Sequence, residues 1–246
     1  MIKHYLKVAF RNLIKYKTQS LVSIIGLAVG FTCFALSVLW IRYEMTYDNF
    51  HEGADRIYLV RAHYANEPGT SKFTPYPLMK YLQDKMPEIE AVTAFTAHYV
   101  KFRMEDTEQE IGMIAADSVF MNFFDIQLLK GTVNFLKCDG QEVAITKEFA
   151  KRLFSKEEDA LGKEVEVGRR VCKIGAIVSG WSNHSNIPYN ILAPARHSPQ
   201  WGSSNEQLLI RVRERTDIDA FRTKMSTVCI NDIEKESELS DLLITR

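Results

Sequence analysis

Apolar and polar positions follow three different rhythms along this chain. In residues 1–17, MIKHYLKVAFRNLIKYK, the spacing predicts a helix with Ile2, Tyr5, Leu6, Ala9, Leu13 and Tyr16 on one side. Lys3, Lys7, Arg11 and Lys15 recur every four residues on another side. Residues 21–41, LVSIIGLAVGFTCFALSVLWI, then run without one charged side chain. As a helix rising ~1.5 Å per residue this stretch spans ~31 Å, the thickness of a hydrocarbon core of ~30 Å. Twelve of its residues are Leu, Ile, Val or Phe. At roughly −0.3 to −0.6 kcal/mol each they favour insertion by about 4 to 7 kcal/mol. Ser23, Thr32 and Ser37 subtract little, because their hydroxyls can bond back to the helix. A cleaved signal peptide has a shorter apolar core and small residues at its exit. Here the exit is the bulky VLWIRYE, so the expectation is an uncleaved transmembrane helix.

From Glu44 onward the pattern changes to short mixed segments. RIYLVRAHY (56–64) has strand composition. TPYPLMKYLQDKMPEI (74–89) reads as a helix, with Pro75 and Pro77 at its start, Leu78, Tyr81, Leu82 and Met86 on one face, and Pro87 ending it. Strands are expected at 91–95, 99–104 and 111–116. DSVFMNFFD (117–125) predicts a short aromatic helix capped by Asp117. A strand at 142–146 leads into a helix over 146–154 capped by Thr146, and 165–178 predicts a hairpin turning near Gly168. A strand at 206–213 precedes a helix at 216–231 that buries Ile218, Phe221, Met225 and Val228. Helices and strands mix without a regular β-α-β period, so the fold class is α+β. The Ser-, Asn- and Pro-rich stretch 179–205 is expected to divide the outer domain into two subdomains.

Charge orients this arrangement. The 246 residues carry 31 basic and 31 acidic side chains, and the zero balance gives no indication of a nucleic-acid partner. Residues 1–20 hold five of the basic side chains and no acid. Four Lys/Arg lie within ~15 residues before the apolar run, and two, Arg42 and Arg56, after it. The positive-inside rule therefore predicts a cytoplasmic N-terminus, with residues 44–246 outside the inner membrane. The expected organisation is a cytoplasmic basic amphipathic helix (1–20), a transmembrane helix (21–41) and an extracytoplasmic domain (44–246). Lys3, Lys7, Arg11 and Lys15 suit an anionic inner leaflet, although a plain positive flank that only sets topology explains them equally. Trp40, Tyr43 and Tyr47 suit the outer interfacial belt.

Candidate chemistry is sparse. Gly26 and Gly30 would let a second helix approach closely; glycine is also common in membrane helices without such a partner. Cys33 falls in the apolar run, and Cys138, Cys172 and Cys229 lie outside it. One disulfide among these three is possible, and three buried thiols are the plainer alternative. There is no G-x-S-x-G, H-E-x-x-H, C-x-x-C or G-x-x-x-x-G-K-[ST], so neither an enzyme nor an ATPase is expected, and no cofactor. His184 and His197 lack a carboxylate pattern for a metal and read as polar loop residues. Asp55 and Arg56 could pair locally at the surface. VFMNFFDIQLL (119–129) reads as core, with a docking patch as the less common alternative.

Taken in order, the basic helix, RNLIKYKTQSLVSIIGLAVGF, WIRYEMTYDNFHEGADRIYLV, ADSVFMNFFDIQLLKG, VAITKEFAKRLFSKEEDALGKEV and SNHSNIPYNIL resemble an ABC transporter permease of the MacB/FtsX type with a MacB-like periplasmic core domain. The resemblance covers nearly the whole chain. It implies four transmembrane helices, a large periplasmic domain between the first and second, and a cytoplasmic ABC ATPase that drives the assembly. It also implies a homodimer or paired permease, contact with membrane lipid, and a periplasmic partner or substrate moved by mechanotransmission. The sequence reaches Arg246 before helices two to four, so it is expected to be the N-terminal portion of such a permease. The alternative is a single-pass membrane-anchored binding or sensory module.

Overall fold

Alternation of period two builds most of the molecule. The computed structural model describes residues 4, 5, 8, 11, 14–45, 53–65, 68–104, 107–137, 141–154, 156–181, 185, 187, 189–233 and 239–245, with the side chains of 228–233 excepted. Two units result, Met1–Tyr47 and Asp48–Arg246.

In the first unit, His4, Tyr5, Val8, Arg11, Ile14 and Lys15 are helical, and a turn at Tyr16 precedes helix α1, Lys17–Glu44. At 28 residues α1 is longer than the charge-free run, because nothing in KTQS or RYE breaks a helix. None of its residues is buried.

The second unit is built on a sheet of twelve strands among the described residues. Its elements are β1 (Ile57–Tyr64), β2 (Thr70–Ser71), β3 (Thr74–Pro75), α2 (Pro77–Lys85), β4 (Ile89–Met104) and β5 (Thr107–Ala116). Next come α3 (Ser118–Phe123), β6 (Leu128–Gly131), β7 (Glu142–Thr146), α4 (Lys147–Leu153), β8 (Glu164–Val167) and β9 (Arg170–Val178). Then follow β10 (Ile191–Pro194), β11 (Ser204–Val212), α5 (Ile218–Ile233) and β12 (Leu239–Thr245). The main path runs β12-β1-β11-β4-β5-β10-β7-β9-β6. Pairings β10–β5 and β7–β9 are parallel, and the other pairings are antiparallel. This is the expected α+β class.

The pleat explains the apolar runs. In β5, Ile114 and Ala116 enter one core with Phe95, Phe120, Ala144 and Leu192. Ile111 enters another with Phe102, Val143, Ile145 and Ile191, and Met113 packs against it. A strand buried on both faces reads as a continuous apolar run. A third core fills the other end of the sheet, where α2 gives Leu78 and Leu82, Met86 follows at its C-cap, and α5 gives Phe221 and Met225 against Val60, Ile210 and Leu242.

Several expectations are corrected. The strands at 91–95 and 99–104 are one strand of 16 residues, because His98 and Tyr99 continue the ladder with Met113 and Gly112 while exposed. Pro75 belongs to β3, and the helix begins at Pro77, where a proline's missing N–H costs nothing. Residues 191–194 of the 179–205 stretch form a strand. That strand, β10, lies between β5 and β7 within the unit Asp48–Arg246. Residues 239–245, which carry no expected element, pair with β1 as an edge strand.

The expected caps are present. Asp117 accepts hydrogen bonds from the backbone N–H of Val119 and Phe120 at 2.9 and 3.0 Å, and Thr146 accepts from Phe149 at 3.3 Å. Asp117→Ala is expected to cost about 1 kcal/mol. Thermal unfolding should then start roughly 2–4 °C lower. An unchanged Tm would show the cap to be idle. Gly168, at φ +65°, turns the β8–β9 hairpin as its sequence predicts.

One ion pair ties α5 down. Lys224 Nζ lies 2.5 Å from Glu88 Oε1, and this hydrogen bond holds the Glu88 carboxyl below its ordinary value. A carboxylate so depressed adds stability above its unfolded-state pKa and loses it as pH falls through the folded one. The Tm gap between the natural protein and Lys224→Met should therefore be full at neutral pH and close as pH drops below the carboxylate range. A gap independent of pH would refute the pairing's role.

Candidate functional site

The first candidate surface is α1 itself. Gly26 and Gly30 stand in open space, with nothing within 4 Å of a Cβ built at either. Thr32 donates its hydroxyl to the Ala28 carbonyl and Ser37 to that of Cys33, both at 2.8 Å, so neither presents an unmet donor. Leu27, Phe31 and Phe34 are each at least 66% exposed on a helix that is apolar all round. A helix of that kind is stable when lipid or protein covers it. Among the described residues it is the one helix long and apolar enough to cross a membrane. Trp40 and Tyr43 are exposed with rings 6.3 Å apart, and Arg11 and Lys15 are exposed as well. Lys3, Lys7 and Tyr47 lie outside the described residues.

Arg56 does not turn to Asp55. Its Nη1 donates to Glu90 Oε2 at 2.6 Å and to the Val212 carbonyl at 3.1 Å, joining the entry to β1, the start of β4 and the end of β11. The Glu90 bond holds the guanidinium pKa above its ordinary value. Arg56 lines a polar hollow of about 510 Å³ with Asp55, Arg213, Glu214 and Arg215, where charges of both signs are mixed.

His197 is less solvated than its loop suggests. Its ring stacks on Tyr76 at 4.0 Å and 6°, with Nδ1 3.2 Å from Glu206 Oε1 and Nε2 3.9 Å from Asp117 Oδ2. Burial and these two carboxylates raise the Tyr76 hydroxyl pKa. Its three ring and carboxylate partners bridge the loop to α3 and β11, a structural brace. Among the described residues no group of His, Cys, Asp and Glu could hold a metal ion. Cys172 is a buried thiol outside any disulfide, and burial raises its pKa; Cys33 is likewise a thiol, and exposed. Cys138, His184 and the Cys229 side chain lie outside the described residues. The 119–129 run is core at Phe120, Met121, Phe123 and Ile126.

One groove has a consistent chemistry. It measures about 350 Å³ and crosses the sheet where the β8–β9 hairpin stops covering it. Val100, Met113, Ala115 and Ala193 form a half-buried apolar floor, with Cys172 and Val143 beneath the hairpin end. Register explains the strip: His98 faces Met113 across β4–β5, and Ala115 faces Ala193 across β5–β10. Arg169, Arg170, Arg196 and His98 stand exposed at the rim, and no Asp or Glu is among the described lining residues. Sequence reasoning passed over these arginines. They come from separate segments, GRR at the hairpin turn and PAR after β10, and only the fold gathers them.

A family model described as the MacB-like periplasmic core domain matches residues 20–228. No curated protein sequence matches the chain. Among solved structures, a domain assigned to a permease protein of Porphyromonas gingivalis is similar, with 20% identity, a TM-score of 0.62, and coverage of 79% of this chain and 92% of that one. The periplasmic region of MacB from Actinobacillus actinomycetemcomitans gives 14% identity, 0.54, and 78% and 88% coverage. The extracellular domain of the noncanonic ABC-type transporter YknZ from Gram-positive bacteria gives 13%, 0.55, and 77% and 100%. At these identities the likeness is one of fold.

Proposed function

This chain belongs to the MacB-like periplasmic core domain family and is a membrane-anchored permease component; from that premise we propose that it works in an ATP-driven export or mechanotransmission complex. The family is a permease domain and not a catalytic fold. Family members work with cytoplasmic ABC ATPases, and the proposed partner here is such an ATPase. One observation carries the reading: a single chain joins an apolar helix exposed on every side to a domain of this family. In this reading residues 1–20 are cytoplasmic, 21–41 span the inner membrane and 44–246 are periplasmic. Lys3, Lys7, Arg11 and Lys15 meet the anionic inner leaflet, and Trp40, Tyr43 and Tyr47 the outer interface.

The test is affinity purification from native membranes, with the protein expressed in its own reading frame. A nucleotide-binding subunit should copurify. Its absence would overturn the transport reading and favour a single-pass binding or sensory module, which the apolar helix α1 also fits.

The bare surface at Gly26 and Gly30 supports close helix packing, with a second copy of the chain or another permease helix as the neighbour. Gly30→Leu fills that approach without changing apolarity. Self-association in a membrane two-hybrid assay is expected to fall several-fold, on the order of 1 kcal/mol. An unchanged signal would remove the glycines from any interface.

A further inference from the structure

We propose that the groove over β4, β5 and β10 binds an anionic amphiphile, an aliphatic chain ending in a carboxylate. Three features of the site point the same way. Its floor is apolar and continuous with the core through Val143 and Met113, so an alkyl chain lying there removes water from both surfaces. Its rim carries Arg169 and Arg170 of the hairpin side by side, and no acid is among the described lining residues. Like charges so gathered repel, and a carboxylate relieves that repulsion through paired N–H···O bonds from arginine. Its volume of about 350 Å³ falls at the low end of small-ligand pockets.

The hairpin fixes the head-group end. Gly168 adopts φ +65°, which turns the chain so that Arg169 and Arg170 follow directly at the rim. Among the described residues neither arginine has an ion-pair partner, whereas Arg103 on the neighbouring strand is engaged by Glu108 and Glu166. The tail end lies over Ala115 and Ala193, the smallest side chains of the floor. An alkyl alcohol would fill the floor and leave the hairpin arginines unmet. A short dicarboxylate would meet the cations and leave the floor wet.

The binding site stands apart from the transport reading: a missing ATPase leaves it intact, and a missing ligand leaves that reading intact. The experiment uses the full chain in nanodiscs of zwitterionic phosphatidylcholine and decanoate carrying a photoactivatable diazirine near its tail. Labelled peptides are mapped by mass spectrometry. Labelling is expected to saturate, to map to residues 98–100, 113–115 and 191–196, and to be blocked by excess decanoate but not by decanol. The double variant Arg169→Ala, Arg170→Ala should lower it at least tenfold, since even one lost charge-assisted contact counts for roughly a factor of ten. Ala193→Phe, which fills the floor and leaves every charge in place, should lower it as well. Both arginines are exposed, so their loss leaves thermal unfolding unchanged and the result interpretable. Label confined to α1, equal competition by decanol, or indifference to both variants would overturn the proposal. Protection by lysophosphatidate with no labelling by decanoate would overturn the carboxylate assignment.

Discussion

Replacing Leu27 and Phe31 together with arginine is expected to abolish stable membrane insertion. Both side chains are exposed near the middle of α1, where an arginine costs roughly 2.5 to 3.5 kcal/mol. Two of them cost about 5 to 7 kcal/mol, and about 1 kcal/mol more is lost with the two apolar side chains. The whole apolar run favours insertion by only about 4 to 7 kcal/mol, so the balance reaches zero or reverses. No covering contact within the chain offsets the change, because no residue of α1 is buried. The measurement is alkaline extraction of vesicles. The natural protein should stay with the pellet, and the variant should appear in the supernatant or be degraded. The conservative pair Leu27→Ala and Phe31→Ala controls for loss of bulk and should remain in the pellet. Full retention of the arginine variant would mean that something other than this helix holds the protein to the membrane.

The second large effect is expected in the core, at Phe120. Its side chain is fully buried, and its ring centroid lies 5.3 Å from that of Phe95, 4.9 Å from Phe124 and 6.1 Å from Trp181. Phe120→Ala leaves a cavity walled by rings that cannot collapse inward without leaving their own contacts. The expected cost is about 3 to 5 kcal/mol. For a domain of this size that lowers Tm by roughly 6 to 20 °C. Near-ultraviolet circular dichroism follows it directly, because Trp181 borders the cavity. Phe120→Leu refills most of the space and should recover more than half of the loss. A shift under about 3 °C for the alanine variant would show the cluster to be loosely packed.

The two predictions draw on regions of the fold that differ in how plainly the sequence announces them. The helix α1 is legible because twenty-one uncharged positions in a row, long enough to cross a membrane, contain nothing that breaks a helix. Asp117 and Thr146 are legible as caps because each precedes a short apolar period with a side chain able to accept from the backbone. Gly168 is legible because the strands on either side of it alternate. The strand β10 is not, since ILAP is four residues, too short to show a period, until β5 and β7 flank it. Nor is β12, whose LSDLLIT alternates only weakly and gains its role from pairing with β1, far away in sequence. His98 and Tyr99 break the apolar rhythm of β4 without breaking the strand, because an exposed ladder position tolerates any side chain. The same reasoning accounts for the groove. Arg169, Arg170 and Arg196 look like ordinary solubilising charges in a row of letters, and their common neighbourhood exists only once the hairpin and β10 share a sheet face.

The pairing of β1 with β12 also has a mechanical meaning. The two strands run antiparallel, and Leu59, near the start of β1, faces Thr245 at the end of β12. The polypeptide therefore enters and leaves this sheet side by side at one end. Tension that spreads these two points apart loads the inter-strand bonds one after another, as a zipper opens, and yields at low force. Displacing both points in concert puts no load on that seam.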